Sequence, residues 1–209
     1  MFHDRMDAGR RLAAALSDLQ SAALPVVILG IPRGGVIVAR EVALAHHALL
    51  DVVLTHKLGA PDNPELAIGA VAEDGTLLLD DELIAHVWLP PHYLDAEVAR
   101  QKAELARRAE LYRGGRDRVP LIDRLVVVID DGVATGFTLI AALRSVRAAR
   151  AARVIAAVPV GPAEAVARLR HEADRVVSLA APIMFRAVSQ YYDSFAQVSD
   201  DQVITALAI

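Results

Sequence analysis

Two adjacent carboxylates, Asp130 and Asp131, are followed at once by Gly132-Val133-Ala134-Thr135-Gly136-Phe137-Thr138. Small residues let a backbone wrap closely around a tetrahedral anion. The unpaired amides at the start of a helix attract phosphate through hydrogen bonds and the helix dipole. Thr135 and Thr138 add hydroxyl donors. Acids beside such a cradle repel the same ligand unless they serve another part of it. They can accept hydrogen bonds from sugar hydroxyls or help hold a divalent cation. The implied ligand carries a phosphate, vicinal hydroxyls and a magnesium ion. An isolated Asp-Asp-Gly also serves as a plain turn and helix cap. Here the apolar run before it and the glycines and threonines after it favour binding.

A second anion-seeking segment is Ile31-Pro32-Arg33-Gly34-Gly35. Arg33 places a permanent cation among glycines, well suited to phosphate or pyrophosphate. Paired glycines suit close backbone approach, and a tight turn with a surface arginine is the competing reading. Lys57, just past a short apolar run, reads as a second cation for pyrophosphate. His56 beside it reads equally well as a packing residue. Glu65 is the odd acid in an irregular stretch, either functional or facing water. Arg5 and Arg10 near the N-terminus read as solvated charge, with a fold-back onto the site or a subunit contact as the alternative. Phe185, Tyr191, Tyr192 and Phe195 concentrate near the C-terminus in a chain with only 4 Phe, 4 Tyr and 1 Trp. Beside Gln190 and Asp193 they suit either a lid over a flat ring or an anchor for the chain end.

The elements that must position these residues follow one rhythm. Apolar, β-branched runs at Pro25–Ile31, Asp51–Thr55, Leu125–Ile129, Arg153–Val160 and Asp174–Leu179 predict strands. Helical spacing follows at 36–47, 136–150 and 163–171, and precedes the first strand at 7–21. Repeated strand–loop–helix units with uniformly apolar strands predict an α/β fold: a mostly parallel twisted sheet with helices on both faces. In such a sheet ligands collect beyond the C-terminal strand ends, where both segments lie. Two departures stand out. Residues 67–72 and 76–79 bracket Glu73-Asp74-Gly75 as a β-hairpin, a candidate flap. Residues 92–113 read as a long charged helix with a narrow apolar stripe, closed by Gly114-Gly115; Arg113, Arg116 and Arg118 around that end read as solvated charge, with a wall of the site as the alternative.

Length and composition set bounds. The 209 residues, 55% hydrophobic and 23% charged, suit a globule with a sizeable core. The net charge of −4 argues against a general nucleic-acid binder. Without cysteine there is no disulfide, thiolate nucleophile or thiolate metal site. The absence of a signal segment or an apolar run long enough to span a bilayer leads to the expectation of a cytoplasmic protein without a membrane partner. The GxGxxG, GxxxxGK[ST] and GxSxG patterns of dinucleotide enzymes, P-loop hydrolases and serine hydrolases are missing.

The segment Asp130-Asp131-Gly132-Val133-Ala134-Thr135-Gly136-Phe137-Thr138, behind its apolar strand, resembles the phosphoribosyl pyrophosphate (PRPP) signature of type I phosphoribosyltransferases. GIPRGGVIVA, THKLGAPDNPELAIGAV and QYYDSFAQVSD resemble a bacterial subgroup of that family whose acceptor is undefined. The resemblance implies a magnesium-dependent enzyme that transfers the 5-phosphoribosyl group of PRPP to a nitrogenous base or related acceptor, a pentosyl transfer with release of pyrophosphate. A PRPP or nucleotide sensor without turnover is the alternative. Asp130 and Asp131 would contact the ribose hydroxyls and, through water, the magnesium. Residues 132–138 would hold the 5-phosphate. Ile31–Gly35 would form the pyrophosphate loop, which often contains a non-proline cis bond, with Arg33 and Lys57 stabilising the leaving group. Glu65 and Asp193 are candidate general bases, and Tyr191 a candidate acceptor contact. The expected organisation is one domain over 1–209: a core of about 22–180, an insertion of about 59–115 holding the flexible loop, and a hood from 181. Dimers are common in that family. Gly132 departs from the pattern, since many members place a branched aliphatic residue there, and the position of Phe137 often holds a smaller one.

Overall fold

The computed structural model describes residues 1–209 except the side chains of Pro64 and Glu65. Five strands form a wholly parallel sheet in the order β2 (Leu49–Val52), β1 (Val26–Gly30), β6 (Leu125–Ile129), β7 (Arg153–Val160), β8 (Arg175–Ala180). From β1 the chain moves outward to β2. From β6 it moves the other way through β7 to β8. The boundary between β1 and β6 is therefore the topological switch point, where a crevice opens past the strand ends.

Alternation along the strands sends each set of side chains to its own layer. Val27, Leu29, Val126, Val128, Val154, Ala156 and Val158 pack with Leu139 and Leu143 of α5 (Phe137–Ala148) and with Ala165 and Leu169 of α6 (Ala163–Leu169). Ile28, Val127, Ile129, Ile155 and Ala157 pack on the opposite face. Their partners are Leu12 and Leu16 from and beyond α1 (Arg5–Ala15), and Val38 and Val42 of α2 (Gly34–His46). Both faces are apolar, as a sheet covered by helices requires. The first predicted helix is split: α1 ends at Ala15, and Ser17–Ser21 forms a separate 3₁₀ turn. Asp4 caps α1 by accepting the Asp7 amide at 2.8 Å.

A second, antiparallel sheet joins β3 (Thr55–Ala60), β4 (Asn63–Ala72) and β5 (Leu77–Leu79). The predicted strand 51–55 is thus divided. Its first half belongs to β2, while Thr55 opens β3 and carries Lys57 into the second sheet. A short helix, α3 (Asp81–His86), follows β5, and then comes the long α4 (Tyr93–Arg113). Leu105 and Tyr112 of α4 pack with Leu58, Ile68, Val71 and Val36, and with Val203 and Leu207 of the last helix, α7 (Asp200–Leu207).

Arg113 is buried rather than part of a solvated basic cluster. It pairs with Asp51 at 3.3 Å and Glu73 at 2.6 Å, and Asp51 also accepts the Val119 amide at 2.9 Å. This network ties the end of α4 to both sheets. The predicted hairpin is present, with Gly75 at φ +90 and Thr76 N–H donating to Asp74. Its turn is fastened, since Asp74 accepts from Ser145 of α5 at 2.8 Å and Glu73 holds Arg113. The turn at 73–75 is therefore held against α5 and the end of α4. No helix among the described residues is long and apolar enough to cross a membrane.

The N-terminal residues meet the segment that precedes α7. Phe2 N–H donates to the Tyr191 carbonyl at 2.8 Å, and Asp193 and Ser194 amides return to Phe2 and His3 carbonyls at 2.9 Å. The rings of Phe2 and Phe195 flank Tyr192, with centroids 5.3 and 4.8 Å away.

Candidate functional site

Asp130 and Asp131 leave β6 at the switch point and are partly buried in the crevice. Asp130 accepts the Asp131 amide at 2.8 Å. Burial, and then repulsion from Asp131, push its carboxyl well above the usual carboxylate range. Burial also raises Asp131, but Arg5 opposes the rise. Arg5 Nε donates to Asp131 Oδ2 at 2.6 Å, and a second guanidinium N–H donates to the Ala196 carbonyl at 2.8 Å. The guanidinium also lies 3.8 Å over the Phe195 ring. Of the readings the sequence left open for Arg5, the structure bears out the fold-back. Arg10 remains largely exposed.

Tyr192 is a further residue that the sequence did not separate from its neighbours. Its hydroxyl donates to the Asp131 carbonyl at 2.5 Å, and burial raises its pKa. Tyr191, the candidate acceptor contact, stacks on Phe185 and donates to the Met184 carbonyl at 3.1 Å. Asp193 lies on the surface, 3.9 Å from His3, rather than in the crevice. Glu65 lies outside the described residues.

The loop after the acids is built for close approach. Val133 N–H is held by the Val160 carbonyl at 2.9 Å, and Gly136 turns the chain at φ +90 before α5 begins. The amides of residues 134–138 bond no acceptor among the described residues. They remain available to an anion, with Thr135 and Thr138 beside them. A Cβ on Gly132 would collide with Val188. The aliphatic group expected at position 132 is therefore supplied from position 188. Phe137, another unusual residue of this loop, is the first residue of α5 and partly buried.

On the other side of the crevice, the peptide between Pro32 and Arg33 is cis. Gly34 and Gly35 are the first residues of α2, and a side chain on either would strike the acidic pair. A Cβ at Gly34 meets the Asp131 carboxylate, and one at Gly35 comes within 2.7 Å of the Ile129 carbonyl. These glycines let a second helix N-terminus stand beside the carboxylates. Arg33 lies 4.0 Å from Asp200, at the start of α7. Asp200 in turn accepts the Tyr112 hydroxyl at 2.6 Å.

A cavity of about 270 Å³ gathers Ile31, Pro32, Arg33, Gly34, Lys57, Asp130, Asp131 and Thr138, together with Thr55, His56 and Arg108. Of the residues expected at the site it brings together these eight, drawing only Thr138 from 132–138 and not Gly35, and Lys57 arrives on β3 of the second sheet. A larger cavity of about 460 Å³ between α1, α2 and α7 shares only Arg5 with this chemistry. Among the described residues no group of three or more His, Cys, Asp or Glu side chains could hold a metal. Two carboxylates, one already engaged by Arg5, do not make a resident metal site. They suit a cation that arrives coordinated by its own phosphates.

Residues 2–195 match the family model described as "Phosphoribosyl transferase domain". Two curated Mycobacterium tuberculosis proteins, from strains CDC 1551 / Oshkosh and H37Rv, are named "Putative phosphoribosyl transferase". Each is 50% identical over 207 residues, 99% of this chain and 46% of the relative. The chain thus spans about half the length of these relatives. The crystal structure of TT1426 from Thermus thermophilus is 47% identical, with a TM-score of 0.81 over 99% of this chain and 97% of that one.

Proposed function

Because this chain belongs to the phosphoribosyl transferase domain family, we propose that it transfers the 5-phosphoribosyl group of PRPP to a nitrogenous base or related acceptor, releasing pyrophosphate. One observation carries the reading. At a single switch point, two aspartates stand between two helix N-termini with open backbone, and Arg33 and Lys57 line the same cavity. A ribose bearing phosphate at one end and pyrophosphate at the other has the matching chemistry.

In this reading residues 134–138 bind the 5-phosphate through backbone amides, helped by Thr135 and Thr138. Asp130 and Asp131 accept from the ribose hydroxyls, with Arg5 and the Tyr192 hydroxyl holding Asp131 in register. The magnesium belongs to the incoming substrate and neutralises its diphosphate. The bond between C1 and the diphosphate oxygen breaks, and its electron pair leaves with the oxygen. Arg33 and Lys57 receive that growing charge. The acceptor nitrogen forms the new bond to C1 and releases its proton to solvent. No general base is assigned, and Asp193 faces water. The second reading is a PRPP or nucleotide sensor that binds in the same crevice without turnover.

The test is to incubate the protein with magnesium, PRPP and a panel of purine and pyrimidine bases, and to follow pyrophosphate. Release with at least one acceptor is expected. Tight PRPP binding with no release across the panel would support the sensor, and no PRPP binding would remove both readings.

A further inference from the structure

Arg108 faces the same cavity but has no role in the mechanism above. It sits on α4, outside the parallel sheet, at the centre of a helix face formed by Glu104, Arg108 and Tyr112 at spacing of four. Its Nε donates to Glu104 Oε1 at 2.7 Å, while its terminal nitrogens reach no acceptor among the described residues. Glu104 also accepts from Arg107, and the two arginines hold its carboxyl down to about 2. It therefore stays ionised at neutral pH. One end of the guanidinium is fixed, and the residue lines a cavity shared with Arg33 and Lys57.

The charges around Arg33 make this position matter. Arg33 lies 4.0 Å from Asp200, so part of its charge is already answered by protein. A leaving diphosphate carries several negative charges and calls for further donors beyond the strand ends. A second cavity of about 520 Å³ shares His56 and Arg108 with the first and continues along α4 past Arg107 and Arg100. Arg108 thus stands at the junction between the crevice and a basic face.

We propose that Arg108 is a third cation of the diphosphate subsite, contacting the diphosphate directly, with Glu104 as its positioning residue. The inference rests on the transferase or sensor reading of the crevice. It also gives α4 a part in ligand binding. Two terminal N–H groups of one guanidinium match two oxygens of a phosphate, which the single ammonium of a lysine cannot reproduce.

The test is calorimetric titration of wild type, R108Q, R108K and E104Q with magnesium PRPP, magnesium diphosphate and ribose 5-phosphate. R108Q is expected to weaken PRPP and diphosphate about tenfold or more, as loss of a charge-assisted contact requires, and to leave ribose 5-phosphate unchanged. R108K should fall between the two. E104Q should weaken diphosphate in the wild-type background and have no further effect in R108Q, which a general loss of helix stability would not reproduce. R108Q that binds diphosphate like the wild type overturns the assignment while leaving the reading of the crevice intact. Equal weakening of ribose 5-phosphate also overturns it. Wild type that binds neither PRPP nor diphosphate removes both the assignment and the reading beneath it.

Discussion

Replacing Asp130 by Asn separates what this residue does for the fold from what it does for the ligand. Asp130 is partly buried and repelled by Asp131, and the nearest strong cation, Arg5, is bound to Asp131 instead. Its ionised form is the less comfortable one in the folded protein. Asn keeps the size and the oxygen that accepts the Asp131 amide at 2.8 Å. Losing a poorly compensated charge while keeping that bond should stabilise the unliganded protein by about 1–3 kcal/mol at neutral pH. For a chain of this size that is a rise of about 2–12 °C in melting temperature. The gain depends on pH. A folded pKa above the unfolded value of about 3.9 means that the wild type loses stability as pH rises through the interval between them. The Asn variant has no such loss, so its advantage should be near zero below that unfolded value and reach a plateau above the folded one. The same change removes an acceptor for the ribose diol and should weaken PRPP by about tenfold or more. Thermal unfolding from pH 3.5 to 8, with PRPP titration at pH 7.5, reads both effects. A variant that melts below the wild type at pH 7.5, or gains as much at pH 3.5, would refute the strained-charge argument. Unchanged PRPP affinity would refute the diol contact.

Arg5→Met removes the partner of Asp131 from a pair whose side chains are only 11% and 15% exposed. It should lower stability by about 2–4 kcal/mol in urea denaturation at pH 7 and weaken ribose 5-phosphate; an unchanged urea midpoint would show the pair to be inert. Gly132→Val should abolish ribose 5-phosphate binding by striking Val188, and adding Val188→Ala should restore it, because the two positions share one space. If titration shows no recovery in the double variant, the 5-phosphate loop needs Gly132 for its backbone alone. Tyr192→Phe keeps the ring packing and loses only the bond to the Asp131 carbonyl, so stability should fall by about 0.5–1.5 kcal/mol. A loss of several kcal/mol in the same assay would place the residue's value in more than that bond.

The parallel sheet was legible because each of its strands is short, apolar and followed by a helix-spaced segment. Leu125–Ile129 was delimited to the residue, since Asp130 and Asp131 end the apolar run abruptly. The strand after α2 was less well placed. Val52, Val53 and Leu54 form one continuous apolar run into the β-branched Thr55, yet the chain passes from one sheet to the other within it. No change of composition marks that corner. Gly34 and Gly35 signalled close backbone approach, but their sequence did not reveal that they already belong to α2. Arg113 read as solvated because Arg116 and Arg118 surround it, whereas its partners Asp51 and Glu73 are 62 and 40 residues away.

The same distance argument divides the site. Asp130–Thr138 and Ile31–Gly35 each lie on one local turn, so residue type and spacing suffice to identify them. Arg5, Tyr192 and Asp200 reach the crevice because residues 2–3 pair with 191–194 and α7 packs against α4. Arg5 contacts Asp131 across 126 positions, and Tyr112 meets Asp200 across 88. Tyr191 and Tyr192 have the same side chain, so composition cannot choose between them. The choice is made by register: Phe2 pairs with Tyr192 as a backbone bridge and turns that ring inward, leaving Tyr191 stacked on Phe185. The residues that hold the reactive pair in place are therefore set by chain closure rather than by any local motif. Changes at the N-terminal segment should consequently alter ligand binding although it lies far from the phosphate signature in sequence.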